Sequence, residues 1–186
     1  MRTAYDSTDP AAIPADARMV MWYLDGRESK WSPQDLERFP DAVKVSITVL
    51  GSPVADVADV ENGDLTPASA AGWIRSRAGH KATIYCNLST APAVREACAG
   101  LTYDLWVADW NGEPHAITGA VAVQYADPAH GSGGQFDKSL VTDDSWYPTP
   151  PTYGETLEAR ATTLEAALAA VVHQAADLTD LIKAHK

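Results

Sequence analysis

Basic residues, sulfur and phenylalanine are all scarce in this chain of 186 residues. Lys and Arg number 14 against 25 Asp and Glu, which leaves a formal net charge of -11. A phosphate backbone demands clustered cations, so nucleic acid is excluded as a partner, and so is an anionic membrane surface. Two cysteines, Cys86 and Cys98, cannot build a disulfide framework and are expected as buried free thiols. No stretch approaches the roughly 20 apolar residues of a membrane helix. Met1-Arg2-Thr3-Ala4-Tyr5-Asp6 carries no apolar run behind its positive charge, so no secretory leader is expected. The expected product is made in the cytoplasm and leaves it, if at all, by another route. What is present is ordinary for a soluble globular chain: 46% hydrophobic and 21% charged residues, enough for one domain and an appendage.

Apolar runs with strand character fall at residues 3–6, 19–24, 42–50, 54–61, 82–87, 104–110 and 120–125. Several are nearly continuous in Val, Ile, Ala and Tyr, as in strands covered on both faces. Helix starts lie between them. Ser32-Pro33 opens one through Phe39, and Thr66-Pro67 opens another through Ala78 with Gly79 as its stop. Ser89 or Thr90 caps a third through Ala99, stopped by Gly100. Strand–helix–strand order predicts a mostly parallel sheet. Seven strands with several short connections predict an irregular, partly helix-depleted TIM-like β/α barrel over residues 1–147.

The remainder reads differently. Residues 148–154 form a stiff proline-rich linker, Pro148-Thr149-Pro150-Pro151-Thr152-Tyr153-Gly154. Over residues 155–186, apolar side chains alternate in steps of four and three: Leu157, Ala161, Leu164, Leu168, Val171, Ala175, Leu178 and Ile182. That is a heptad seam, with Ala161, Leu168, Ala175 and Ile182 at a positions and the others at d. It predicts a C-terminal coiled-coil helix through which the chain self-associates or binds another protein, with Arg160 and Glu165 placed to pair between parallel helices.

Acids carry the chemical signal. Asp59 and Glu61 alternate along a predicted strand, so they share a face with Cα atoms about 6.5–7 Å apart. Two carboxyls that close cannot both ionise cheaply, and one is expected to hold its proton near neutral pH. In parallel α/β barrels the working residues stand at the C-terminal ends of strands. Asp6, Asp25, Asp59 and Glu61 each follow an apolar run and precede a turn or helix, and Asp137 would close the acid ring from the last strand. Tyr5, Tyr23, Tyr85, Trp106, Trp110 and Tyr125 fall near the same ends, where aromatic faces suit sugar rings. The loop His130-Gly131-Ser132-Gly133-Gly134 then allows close backbone approach.

The order Tyr5-Asp6-Ser7, Asp59-Val60-Glu61, Leu105-Trp106-Val107-Ala108, Gln124-Tyr125 and Phe136-Asp137 resembles glycoside hydrolase family 25, the muramidases of phages and bacteria. Tyr23-Leu24-Asp25-Gly26, Phe39-Pro40, the run Asp59 to Pro67, Val121 to Tyr125 and Gly133 to Asp137 resemble the glycoside hydrolase-like domains of actinobacteria and their phages more closely. The resemblance implies cleavage of β-1,4 bonds in cell-wall glycan. It implies Glu61 as general acid, with Asp59, Asp6 and Asp137 tuning it or stabilising an oxocarbenium-like transition state. Asp25, Tyr23, Tyr85, Trp106, Trp110, Gln124 and Tyr125 would hold the sugar. No cofactor or metal is implied. The chain departs from the muramidases at Asp109-Trp110 after the sixth strand and at Asp25-Gly26, where they often carry Glu-Gly. Because the wall is also anionic, binding there must come from shape and hydrogen bonds.

Two rivals stay open at this point. One is a non-catalytic virion component or glycan-binding module that keeps the barrel and assembles through its helix, virion-borne or released at lysis. The other is a metal-dependent phosphodiesterase using the same acids.

Overall fold

The computed structural model describes residues 1–28, 31–77 and 80–147. All of them belong to one unit, Met1–Thr149; the second unit, Pro150–Lys186, lies outside the described residues, as do the whole predicted linker and coiled-coil helix. The first unit is a closed barrel of eight strands in sequence order. They are β1 (Arg2–Asp6), β2 (Met19–Tyr23), β3 (Val43–Thr48), β4 (Val57–Asp59), β5 (Thr83–Asn87), β6 (Asp104–Ala108), β7 (Ala122–Ala126) and β8 (Asp137–Val141). Strands β1 to β7 run parallel, and β8 pairs antiparallel with both β7 and β1. The sheet is therefore mixed, in a TIM-like barrel with few helices.

Among the described residues three helices cover it, α1 (Pro33–Glu37), α2 (Pro67–Ser76) and α3 (Ala91–Ala97), with a 3-10 turn at Pro10–Ala12. Each α-helix opens on a proline at its first turn, where a missing N–H costs nothing. Ser32 N–H donates to Asp35 Oδ2 (2.8 Å), and Ser69 N–H donates to Thr66 Oγ1 (3.2 Å), so the first two starts are capped as predicted. The third is not capped by Ser89 or Thr90. Asn87, the last residue of β5, accepts from Thr90 N–H (2.9 Å) through its side chain instead. The predicted stop at Gly79 lies outside the described residues, whereas Gly100 follows α3 with φ +78°.

Strand alternation fills the interior. Ala4, Met19, Met21, Val45, Ile47, Val57, Tyr85, Trp106, Ala122 and Val141 pack inside as one buried cluster with Trp146. Trp146 Nε1–H donates to Thr83 Oγ1 (2.9 Å) and Trp106 Nε1–H to Ser139 Oγ (3.0 Å), so both buried indoles are satisfied. Outward residues of β4, β5 and β6 meet α2 and α3 in a second cluster that holds Ile84, Cys86, Val94, Cys98 and Val107. Both cysteines are free and buried. No helix among the described residues is long and apolar enough to cross a membrane.

Two boundaries differ from the sequence reading in ways that matter. The apolar run at 54–61 yields only three strand residues, because Val54 is exposed in the preceding loop and the chain turns directly after Asp59. β8 is absent from the seven predicted strands, since Asp-Lys-Ser-Leu-Val offers only two apolar side chains.

Candidate active site

The parallel strands end at one mouth, and β8, running the other way, begins there. Asp6 is the last residue of β1, Tyr23 of β2 and Asp59 of β4, and Asp137 is the first of β8. Asp6 and Asp137 are directly opposed in the antiparallel pair, with Cα atoms about 4.5–5.5 Å apart. Glu61 follows β4 by two residues. It stands close enough to raise the Asp59, Asp6 and Asp137 carboxyls by its charge, so the four acids gather at one end of the barrel.

Burial dominates their chemistry. Asp59 is 2% exposed, and desolvation first, then the Glu61 charge, push its carboxyl up to about 9. Among the described residues its Oδ1 has no hydrogen-bond partner, and Oδ2 receives a long bond from Tyr23 Oη–H (3.5 Å). Desolvation also raises Asp6, opposed by a hydrogen bond from Gln124, and raises Asp137, reinforced by the charge of Asp6. Glu61 is half-buried, and its carboxyl rises through desolvation and the neighbouring Asp64. Tyr23, facing all four acids, is held well above its ordinary value by burial and then by their charges. A cluster that repels its own negative charge in this way stores protons near neutral pH.

Gln124 ties the acids to the aromatics. Its Nε2–H₂ donates to Asp6 Oδ1 (3.1 Å) and Asp137 Oδ2 (3.3 Å). Its Oε1 accepts from Tyr85 Oη–H (2.7 Å) and Trp110 Nε1–H (2.8 Å). An indole nitrogen can only donate, so the amide orientation is fixed by chemistry. Trp110, 38% exposed, stacks on His130 with centroids 6.5 Å apart and planes 11° from parallel. His130 is in turn held by Asp127 (2.7 Å).

Other predicted residues lie elsewhere. Asp25 turns its carboxylate to the β3–β4 loop, accepting from Thr48 Oγ1–H (2.5 Å), Val49 N–H (2.8 Å) and Leu50 N–H (3.2 Å). Trp106 is buried in the interior, 4.4 Å from the Tyr85 ring, and reaches no surface. Tyr125 occupies the alternate, half-buried position of β7, where burial and then Tyr5 raise its hydroxyl. Asp109 binds His115 Nε2 (3.0 Å) at the periphery.

Two hollows open beside the acids. One of about 250 Å³ is lined by Asp6, Ser7, Tyr23, Glu28, Phe136 and Asp137. Another of about 300 Å³ is lined by Glu61, Asn62, Asp64 and Thr90. Glu28 and Asp64 are site neighbours that the sequence reading did not assign to the site, and the His130 loop was marked only for its glycines; all lie in loops, where no periodicity marks direction. Among the described residues, no group of three or more His, Cys, Asp or Glu side chains is arranged to hold a metal ion.

No family model matches the chain, and no curated protein does. Among solved structures, the fold is similar to that of the Tat-secreted protein Rv2525c of Mycobacterium tuberculosis, crystallised in complex with L-tartrate. The TM-score is 0.52 at 16% identity, with 80% of this chain and 99% of that chain covered. At that identity the likeness is one of fold.

Proposed function

We propose that the mouth is a glycan site of muramidase type, which cleaves β-1,4 bonds of cell-wall glycan with Glu61 as general acid. The observation that carries this reading is the convergence of Asp6, Asp59, Glu61 and Asp137 at the strand ends, each held above its ordinary carboxylate range. A general acid must keep its proton near neutral pH and still reach a leaving oxygen. Glu61 suits both needs in direction, because it is half-buried and burial together with Asp64 raises its carboxyl. Asp59, pushed up to about 9, is almost wholly buried and adjoins Glu61, whose charge helps to raise it. Asp6 and Asp137 border the adjoining hollow, where charge developing on a sugar ring would meet them. Trp110 offers an exposed aromatic face at the rim. The resemblance to glycoside hydrolase family 25 and to the actinobacterial and phage domains is part of the same proposal.

The test is digestion of purified cell wall, followed by new reducing ends, with Glu61→Gln beside the parent. Release by the parent and none by the variant supports the reading. Equal release by both removes Glu61 from the role.

A second reading rests on the heptad seam of residues 157–182. A diffusing hydrolase gains little from self-association, whereas a virion component or glycan-binding module uses it for attachment and avidity. Wall binding without reducing ends, in a protein recovered from intact particles, favours that reading.

A further inference from the structure

We propose that Trp110 is a positioning residue for the Asp6–Asp137 pair, acting through the amide of Gln124 rather than serving only as an aromatic platform. The argument is geometric. Gln124 is 2% exposed, and its two ends face different chemistry. One end meets two groups that donate, Trp110 Nε1–H and Tyr85 Oη–H; the other meets the carboxylates of Asp6 and Asp137. If the amide turned over, its NH₂ would face the indole N–H, and its carbonyl would face two acids. The Trp110 hydrogen bond therefore selects the orientation in which the pair receives donors.

That orientation has a direction of effect. N–H groups aimed at a carboxylate favour its charged form, so the amide opposes the burial that drives Asp6 to hold its proton. The other groups bearing on the pair are acidic or phenolic: Asp59 at the end of β4 and Glu61 beyond it, Asp127 in the β7–β8 loop, Tyr23 on β2, and Glu28 in the shared hollow. Lys138 does not relieve them, since its ammonium stands over the Phe136 ring (5.6 Å) on the other face of β8. Gln124 is thus the neutral donor that makes the pair tolerable, and Trp110 at the rim holds it in place. A ring seated on Trp110 would rest against the same indole whose N–H fixes the amide.

The role of the pair in catalysis rests on the glycan reading; the positioning itself does not, and its test needs no substrate. Side-chain carboxyl carbons of Asp6 and Asp137 are followed by NMR through a pH titration of the full chain, in the parent, Trp110→Phe, Gln124→Met and the double variant. Gln124→Met is expected to move the pair's first titration midpoint upward by about one pH unit, the size of a lost hydrogen bond to a charged group. Trp110→Phe keeps the ring, lies at the half-exposed rim where folding is least at risk, and is expected to move the midpoint upward by a smaller amount. In the Gln124→Met background the Trp110 change should add nothing. A Trp110→Phe midpoint equal to the parent's, or an equal shift in both backgrounds, overturns the proposal. If Gln124→Met does not fold, Tyr85→Phe with and without Trp110→Phe replaces it: the two share one acceptor, and the pair of losses must exceed the sum of the single shifts. Wall digestion is scored separately, so a barrel that cleaves nothing still decides the positioning role.

Discussion

Asp59 and Glu61 are separated by one residue yet occupy different media: Asp59 ends β4 at 2% exposure, and Glu61 stands half-buried beyond it. A strand continued through Glu61 would have put both on one face in equal depth. Because β4 stops, one carboxyl is locked inside the barrel mouth and the other is free to meet solvent.

The two residues should therefore fail differently. Glu61→Gln is expected to leave the fold and thermal midpoint unchanged and to cost about 10²–10⁴-fold in wall cleavage, the usual reach of a general acid. Asp59→Asn is expected to retain cleavage, because its carboxyl is almost wholly buried and, raised to about 9, is already neutral near pH 7 like the amide that replaces it. Circular dichroism and reducing-end release, measured on both variants from pH 4 to 10, separate the cases. A Glu61→Gln protein that melts early shows a structural role instead.

The buried acids also set a pH dependence of stability. Asp59 binds its proton more tightly folded, up to about 9, than the ordinary 3.8 of an unfolded aspartate. Between those limits the native state holds more protons than the unfolded one, so stability is full below about pH 4 and is lost as pH rises toward 9. Each such group contributes a slope of up to about 1.4 kcal/mol per pH unit. Asp6 and Asp137, raised in the same direction, steepen it. Urea midpoints taken across this range should fall with pH, and Asp59→Asn should flatten the trend. A midpoint that rises from pH 5 to 8 contradicts the sign.

Asp25 offers the opposite case, a conspicuous acid with structural work. It accepts three hydrogen bonds from Thr48, Val49 and Leu50, and Gly26 beside it has φ +83° with no room for a side chain, since a Cβ would lie 2.2 Å from Val49 Cγ2. Asp25→Ala leaves those donors short of a partner and should cost about 1–3 kcal/mol of unfolding free energy. Affinity for soluble wall fragments, read by calorimetry, should stay within twofold. A tenfold loss of affinity in a fully stable variant would return Asp25 to the sugar site.

For the tail, removal of residues 155–186 is expected to reduce the solution mass to that of one barrel, measured by light scattering. An unchanged assembly excludes the heptad seam as its cause.

Much of the barrel was legible because its signals are local. Nearly continuous apolar runs, the Ser-Pro and Thr-Pro helix starts and the Gly100 stop each act within a few residues. β8 was not legible as a strand: its inward side chains are Asp137, Ser139 and Val141, and the polar two are satisfied by Gln124 and Trp106, partners 13 and 33 residues away. Asp6, Asp59, Glu61 and Asp137 could be picked out by their places after apolar runs. The division between Asp25 and the rest could not, because it depends on where the β3–β4 loop folds back. Gln124 was named for the sugar, but its four partners lie on other strands and loops and leave no trace in spacing.

The final strand closes the ring in reverse, and its register against β1 sets what it presents. β7 slips against β8 between Gln124 and Ala126, while Asp6 and Asp137 stay opposed. Because neighbouring side chains on a strand face opposite ways, displacing β8 by one position would turn Asp137 outward and bring Lys138 in beside Asp6. A proton-sharing dyad would become a buried ion pair. The register of β8 against β1, kept while the extra residue Tyr125 absorbs the mismatch with β7, thus decides whether this opening presents two carboxyls or a carboxyl beside an ammonium.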